Sequence, residues 1–151
     1  MTALPLDVVA LARQIATRAH DGQVDKAGHP YIGHPARVAA RVEADGGDER
    51  AVAAAWLHDV LEDTPVTAAG LLAAGMPAEV VEAVQAVTRR DGEPVERYFA
   101  RINAHPLAVR VKHADLADNT DPARTVELDP ATARRLAAKY ARAARLLDPL
   151  P

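Results

Sequence analysis

The run "ERAVAAAWLHDVLED", residues 49 to 63, constrains the fold more than any other part of the chain. It reads as the strongest helix, stopped by Thr64-Pro65, and it opens on a series of small apolar side chains. Aromatic residues make up only 3% of the sequence while 49% of it is hydrophobic, so the core has to be built mainly from Ala, Val and Leu. Such side chains suit closely packed helices better than a β-sandwich, whose strands favour aromatic and β-branched residues. The same run also carries an imidazole and three carboxylates, His58, Asp59, Glu62 and Asp63, set among Trp56, Leu57, Val60 and Leu61. That mixture needs a chemical reason.

The rest of the chain agrees with an all-α fold. Leu6, Val9, Ile15, Ala16 and Ala19 share one face of a first helix that Gly22 ends. Residues 21 to 35, with three glycines and two prolines, read as a loop. A second helix fits residues 36 to 44, broken by "DGGD". Thr67 can cap a short helix through about Leu72, and two more helical runs follow around "DGE". Pro106 suits a first helical turn before "PLAVRVKHADLADN", and Asp129-Pro130 starts the last helix. No strand pattern, repeat or linker stands out. The expectation is a compact helical domain of about seven or eight helices spanning residues 1–151.

On a continuous helix, His58 would stack over Glu62 and Asp59 over Asp63, giving one polar stripe beside apolar neighbours. Burying three carboxylates is costly unless cations or hydrogen bonds compensate. A divalent metal would do so; a solvated helix face with a few local contacts is the bland alternative. The chain has no cysteine, which removes thiolate zinc sites and disulfides and points to manganese, iron, cobalt or zinc on nitrogen and oxygen ligands. "YIGHP" offers His34, and "VKHADLADN" offers Asp115, Asp118 and Asn119.

In that order, His34, His58-Asp59 and Asp115 resemble the H…HD…D signature of the HD-domain metal-dependent phosphohydrolases. More narrowly, "AHDGQVDKAGHPYIGHPARVA", "WLHDVLEDT" and "VRVKHADLADN" are similar to the hydrolase domain of the RelA/SpoT (p)ppGpp enzymes and to stand-alone small alarmone hydrolases. The resemblance implies an all-helical HD-domain fold and one divalent metal, Mn²⁺ first, with Fe²⁺, Co²⁺ or Zn²⁺ as alternatives. It implies removal of the 3′-pyrophosphate from (p)ppGpp, giving GDP or GTP and pyrophosphate. Carried over, the metal ligands are His34, His58, Asp59 and Asp115, the catalytic pair is Glu62 and Asp63, and Lys26, Tyr31 and Asn119 line the nucleotide cleft. Lys112, Arg110, Arg89 and Arg90 are candidates to hold the terminal phosphate. On this length the chain would hold a hydrolase without a synthetase part.

Two places depart from the family: in "NTDPAR" Pro122 cannot donate a backbone hydrogen bond at that end of the nucleotide pocket, and the loop is changed at residue 25. The family's loop arginine, which packs on the guanine base, is replaced here by Asp25, and Asp has no planar cationic face. This keeps two other readings open: an HD phosphohydrolase acting on a 3′-phosphorylated adenine nucleotide or a nucleoside monophosphate, and a non-catalytic nucleotide-sensing module. Among the remaining histidines, His20 reads as structural and bonded to the loop, His29 as exposed, and His105 as a surface helix-entry residue. His113 reads as a neighbour of Asp115 that either approaches the metal or does not.

A formal net charge of −3 gives no electrostatic case for nucleic-acid binding. The first twenty residues lack the uninterrupted apolar stretch of a signal peptide or membrane span. The expected partner is therefore a small phosphorylated nucleotide, with no nucleic acid, no membrane and a cytoplasmic location. The last helix could pack on the core or on a second copy, which leaves a homo-oligomer open.

Overall fold

The computed structural model describes residues 7–151. Its helical segments in chain order are α1 (Val8–Ala19), α2 (Gly33–Ala44), α3 (Glu49–Leu57), α4 (Val60–Asp63), α5 (Ala68–Ala73), α6 (Ala78–Val87), α7 (Val95–Asn103), α8 (Pro106–Asn119), α9 (Pro122–Thr125) and α10 (Pro130–Leu146). Two of them, α4 and α9, have only 4 residues. With these single turns set aside, the expected number of helices holds. The only β feature among the described residues is an isolated bridge between Val24 and Pro30.

Helix α3 is the axis. Ala51, Val52, Ala53, Ala54, Ala55 and Leu57 are all buried, because α1, α2, α6 and α8 pack around it. Alanine side chains let those neighbours approach closely, and larger groups fill the periphery of the core: Phe99 and Ile102 from α7, Val80 and Val84 from α6, Leu71 from α5. Local chemistry sets the helix ends as the sequence suggests. The Thr67 side chain accepts a hydrogen bond from Gly70 N, and Asp129 accepts one from Thr132 N, with Pro130 in the first turn. Pro106 likewise opens α8.

Three expectations need correction. The buried line of α1 runs through Val8, Ala12 and Ala16, while Val9, Ile15 and Ala19 flank it and Leu6 lies outside the described residues. Helix α2 starts at Gly33, so His34 sits inside its first turn. Most consequential, the helix expected over 49–63 is broken. His58 Nδ1 donates to the Ala55 carbonyl at 2.7 Å, Asp59 has φ −104° and ψ 0°, and regular geometry resumes only in α4. The His58–Glu62 column expected from a continuous helix therefore does not form, whereas Asp59 and Asp63 remain one turn apart, with Asp63 N donating to the Asp59 carbonyl at 3.0 Å.

The α2–α3 turn fixes how these two site-bearing helices meet. Gly46 takes φ +88°, and Gly47 lies so close to α2 that a Cβ there would stand 2.5 Å from Val42 Cγ1 and 2.9 Å from the Val42 carbonyl oxygen. Gly47→Ala must push the turn away from α2 and is expected to destabilise the protein by about 1–3 kcal/mol, as overpacking does. Urea unfolding of the variant beside the parent protein measures this; an unchanged midpoint would show that the turn has room to give.

Candidate metal centre

The break after α3 aims two consecutive side chains at one place. His58 Nε2 lies 3.0 Å from Asp59 Oδ2, whereas neighbours on a regular helix would diverge by roughly 100°. Helix α2 brings His34 to the same point, with its Nε2 3.2 Å from His58 Nε2 and 3.7 Å from Asp59 Oδ2. Helix α8 adds Asp115, whose Oδ1 is 3.0 Å from His34 Nε2 and 3.4 Å from His58 Nε2. Donor atoms of His34, His58 and Asp115 thus lie within 4.8 Å of one another, with Asp59 Oδ2 beside both imidazoles. His34, His58 and Asp115 are buried, and Asp59 is nearly so.

The donor set suits a cation. Each imidazole commits its Nδ1–H elsewhere, His58 to the Ala55 carbonyl and His34 to Asp118 Oδ2 at 2.7 Å. In the neutral rings both Nε2 lone pairs then face two carboxylates, so every group at this point accepts and none donates. Burial opposes protonation of His34 and of His58. The carboxylates around them outweigh it: Asp115 and Asp118 raise the pKa of His34, and Asp59 and Asp115 raise that of His58. Asp59 stays ionised despite its burial, held low chiefly by His58. These are the nitrogen and oxygen ligands of a hard or borderline divalent ion.

Around this centre the supporting bonds are specific. Asp118 is fully buried, and besides His34 it accepts from Arg37 Nε at 2.9 Å and Arg124 Nη1 at 2.8 Å. Lys112 Nζ bonds Asp115 Oδ2 at 3.0 Å, and Asn119 Nδ2 bonds Asp115 Oδ1 at 3.1 Å. The Tyr31 hydroxyl donates to Asp59 Oδ2. Three residues expected to meet substrate, Tyr31 and Asn119 by resemblance and Lys112 on sequence grounds, therefore also hold Asp59 and Asp115 in place while lining the cleft.

Asp59 also belongs to a second group. Its carboxylate lies within 4.8 Å of those of Glu62 and Asp63, which face the open cleft. Burial, followed by repulsion from Asp59, raises the pKa of both Glu62 and Asp63. Glu62 Oε1 accepts from Arg89 N at 2.6 Å, which fixes its direction, and Gln23 Nε2 donates to the Asp63 carbonyl at 2.9 Å.

The cleft holds about 1220 Å³ and runs from the metal centre between the loop before α2 and the α9–α10 segment. Several cations line it. Arg89 stands 5.1 Å and Lys112 5.4 Å from the ring centre of Tyr98, whose own hydroxyl is tied to the Val87 carbonyl. Lys26 and Lys139 line the same space, and partial burial, then Arg89, Lys112 and Lys26, lower the pKa of Lys139. Arg110 instead bonds the Asp45 and Pro151 carbonyls, and Arg90 is not part of the lining. Sequence reading missed Lys139, on the exposed side of α10, and Arg124. It named Asp118 without a role; its spacing of three from Asp115, which puts both on one side of α8, was the available signal.

The other histidines separate clearly. His20 is buried, with Nδ1 2.8 Å from Gln23 Oε1, and braces the loop. His29 is exposed and pairs with Glu127. His105 caps α8 half-buried rather than at the open surface. His113 bonds the Asp148 carbonyl, away from the cleft.

A family model described as HD domain matches residues 12–143. The chain belongs to the HD-domain family. It is 39% identical over 132 residues to a guanosine-3′,5′-bis(diphosphate) 3′-pyrophosphohydrolase of Haemophilus influenzae, covering 82% of this chain and 19% of that protein. It is 37% identical over 147 residues to the bifunctional (p)ppGpp synthase/hydrolase SpoT of Escherichia coli, covering 90% of this chain and 21% of that one. The chain thus spans about a fifth of the length of these curated relatives. A solved structure of a metazoan ortholog of SpoT, described as hydrolysing ppGpp, superposes with a TM-score of 0.76. That match covers 99% of this chain and 90% of the other at 23% identity, a likeness of fold. No helix among the described residues is long and apolar enough to cross a membrane.

Asp118 orients His34 through its far nitrogen, an arrangement that commonly tunes a metal-binding imidazole. Asp118→Asn is expected to weaken Mn²⁺ binding by roughly 10–100-fold. Calorimetric titration of chelator-stripped protein reads this directly, and an affinity equal to the parent's would deny Asp118 that role.

Proposed function

We infer that this HD domain is a metal-dependent (p)ppGpp 3′-pyrophosphohydrolase. The observation that carries this reading is the position of Asp59, whose Oδ2 lies 3.0 Å from His58 Nε2 and 3.7 Å from His34 Nε2 while its carboxylate also clusters with Glu62 and Asp63 at a cleft lined by cations. Relatives named for that activity support the substrate. His34, His58, Asp59 and Asp115 would hold one divalent ion, Mn²⁺ by resemblance. When bound, the ion supplies Lewis acidity towards a phosphoryl oxygen and towards water.

The remaining chemistry belongs to the side chains. Glu62, directed by Arg89 N, and Asp63 accept hydrogen bonds from the attacking water and take its proton. Their raised pKa values make them stronger bases than free carboxylates. Water oxygen forms a bond to the phosphorus at the ribose 3′ position, the bond from that phosphorus to O3′ breaks, and O3′ leaves with a proton. The products are the 5′-phosphorylated nucleoside and pyrophosphate. Lys112 and Arg89, seated over Tyr98, with Lys26 and Lys139, balance the charge of the pyrophosphoryl group. Asn119 keeps Asp115 aligned from the adjacent turn of α8.

A purified preparation supplied with Mn²⁺ is expected to convert ppGpp to GDP and pyrophosphate, and EDTA is expected to stop it. The double variant Glu62→Gln, Asp63→Asn should keep its metal and lose at least about 100-fold in turnover, the lower end of what a general base contributes. Metal content by mass spectrometry and product by chromatography measure both. Absence of ppGpp turnover with hydrolysis of a 3′-phosphorylated adenine nucleotide would replace the substrate; unchanged turnover in the double variant would remove the acidic pair from the mechanism.

A further inference from the structure

Across the cleft, an anion of the loop before α2 and a cation of α9 face each other with unused hydrogen-bonding capacity. Asp25, in the loop before α2, spends one oxygen on the loop itself: Oδ1 accepts from Ala27 N and His29 N, both at 2.9 Å. Its other oxygen, Oδ2, has Arg124 Nη2 at 3.7 Å, which is beyond hydrogen-bond distance. Burial works against the charge of Asp25, but the two backbone N–H groups, with His29 and Arg124, hold it ionised. Arg124 is also half-committed. Nη1 bonds Asp118 Oδ2 and the Asp118 carbonyl, which pins the guanidinium to the wall of the cleft and leaves Nη2 turned towards Asp25. Both residues line the cavity.

A fixed acceptor beside a fixed donor is a pattern that a purine edge can match or mismatch. Guanine presents the O6 acceptor next to the N1–H and N2–H donors, so O6 can take Nη2 of Arg124 while a ring or amino N–H goes to Oδ2 of Asp25. Adenine presents the reverse, an amino donor at position 6 next to the N1 acceptor. In the same pose it would set donor against donor and lone pair against carboxylate. Resting on the hydrolase reading for the direction in which the nucleoside leaves the metal centre, we propose that Asp25 and Arg124 form a base-reading pair that selects guanine over adenine. Asp25 is then a specificity residue in its own right, where the family's loop arginine would have offered only a stacking surface.

Asp25→Asn isolates the claim. The amide oxygen can still accept from Ala27 N and His29 N and so keep the loop, while the second atom turns from an acceptor into a donor. Calorimetry with GDP and ADP on the chelator-stripped protein should show the parent favouring GDP by at least about tenfold, the value of one good edge contact, and the variant losing most of that ratio. Arg124→Lys, which keeps a cation on Asp118 but removes the second nitrogen of the fork, should lower the same ratio. Damage to the loop alone would weaken both nucleotides alike and leave the ratio standing, and that result overturns the proposal, as does a parent protein indifferent to the base. A chain that turns over ppGpp with its preference untouched by Asp25→Asn keeps the hydrolase reading and loses this one. A chain that binds GDP over ADP through Asp25 yet does not hydrolyse ppGpp loses the hydrolase reading and keeps this one.

Discussion

The carboxylate of Asp118 is the interaction on which the rest of the site depends. It has no solvent exposure, and an ionised group so placed is tolerable only if its lone pairs are taken. They are taken by His34 and Arg37 of α2 and by Arg124 of α9, with Arg41 of α2 3.8 Å away. One buried charge therefore locks the α2–α8 contact, sets which nitrogen of His34 faces the metal centre, and anchors the residue that forms the far wall of the cleft. Loss of any one donor would leave the others to bear a charge that water cannot reach. The His34–His58–Asp115 cluster and the cleft wall are for this reason a single construction.

From that centre outwards the cleft changes sign. Beside the acceptors of the centre it is lined by Lys112, Arg89, Lys26 and Lys139, and by the pairs Asp25 with Arg124 and His29 with Glu127. Lys112 joins the acceptors to the cations, since its ammonium both neutralises Asp115 and lies over Tyr98. Its pKa is raised in spite of burial, Asp115 contributing most, so it stays a cation under all ordinary conditions. A molecule that carries several negative charges at one end and a neutral polar edge at the other fits this sequence of surfaces better than a uniformly charged one.

What could be read from the sequence follows from the range of the forces involved. Helix caps at Thr67 and Asp129 and the opening proline at 106 were legible because each acts within four residues of itself. His34, His58, Asp59 and Asp115 were legible because short motifs concentrate them. The break at His58 was not, because it depends on an imidazole preferring the Ala55 carbonyl while its other nitrogen meets His34 from a different helix. Arg124 sat in "NTDPAR" looking like any residue of a turn, and Lys139 looked like one of several cations on an exposed face. Arg110 and Arg90 carried the same charge and were no better or worse as candidates until tertiary geometry sent one to the chain's end and left the other outside the cleft.

The break at His58 also explains why such a site can exist in so apolar a helix. Had α3 run on, His58 and Asp59 would have pointed roughly 100° apart, one of them into alanine packing with nothing to bond. By turning Nδ1 back on Ala55, the chain satisfies the buried side of the ring and a carbonyl of the interrupted ladder in a single bond, then sends Asp59 round to the same point as Nε2. Four acceptors are thereby brought together with no donor of their own, an arrangement stable only when positive charge sits among them. Protons on the imidazoles can supply that charge, which is why both histidines resist deprotonation; a divalent ion supplies it more completely and in the geometry that nitrogen and oxygen ligands prefer.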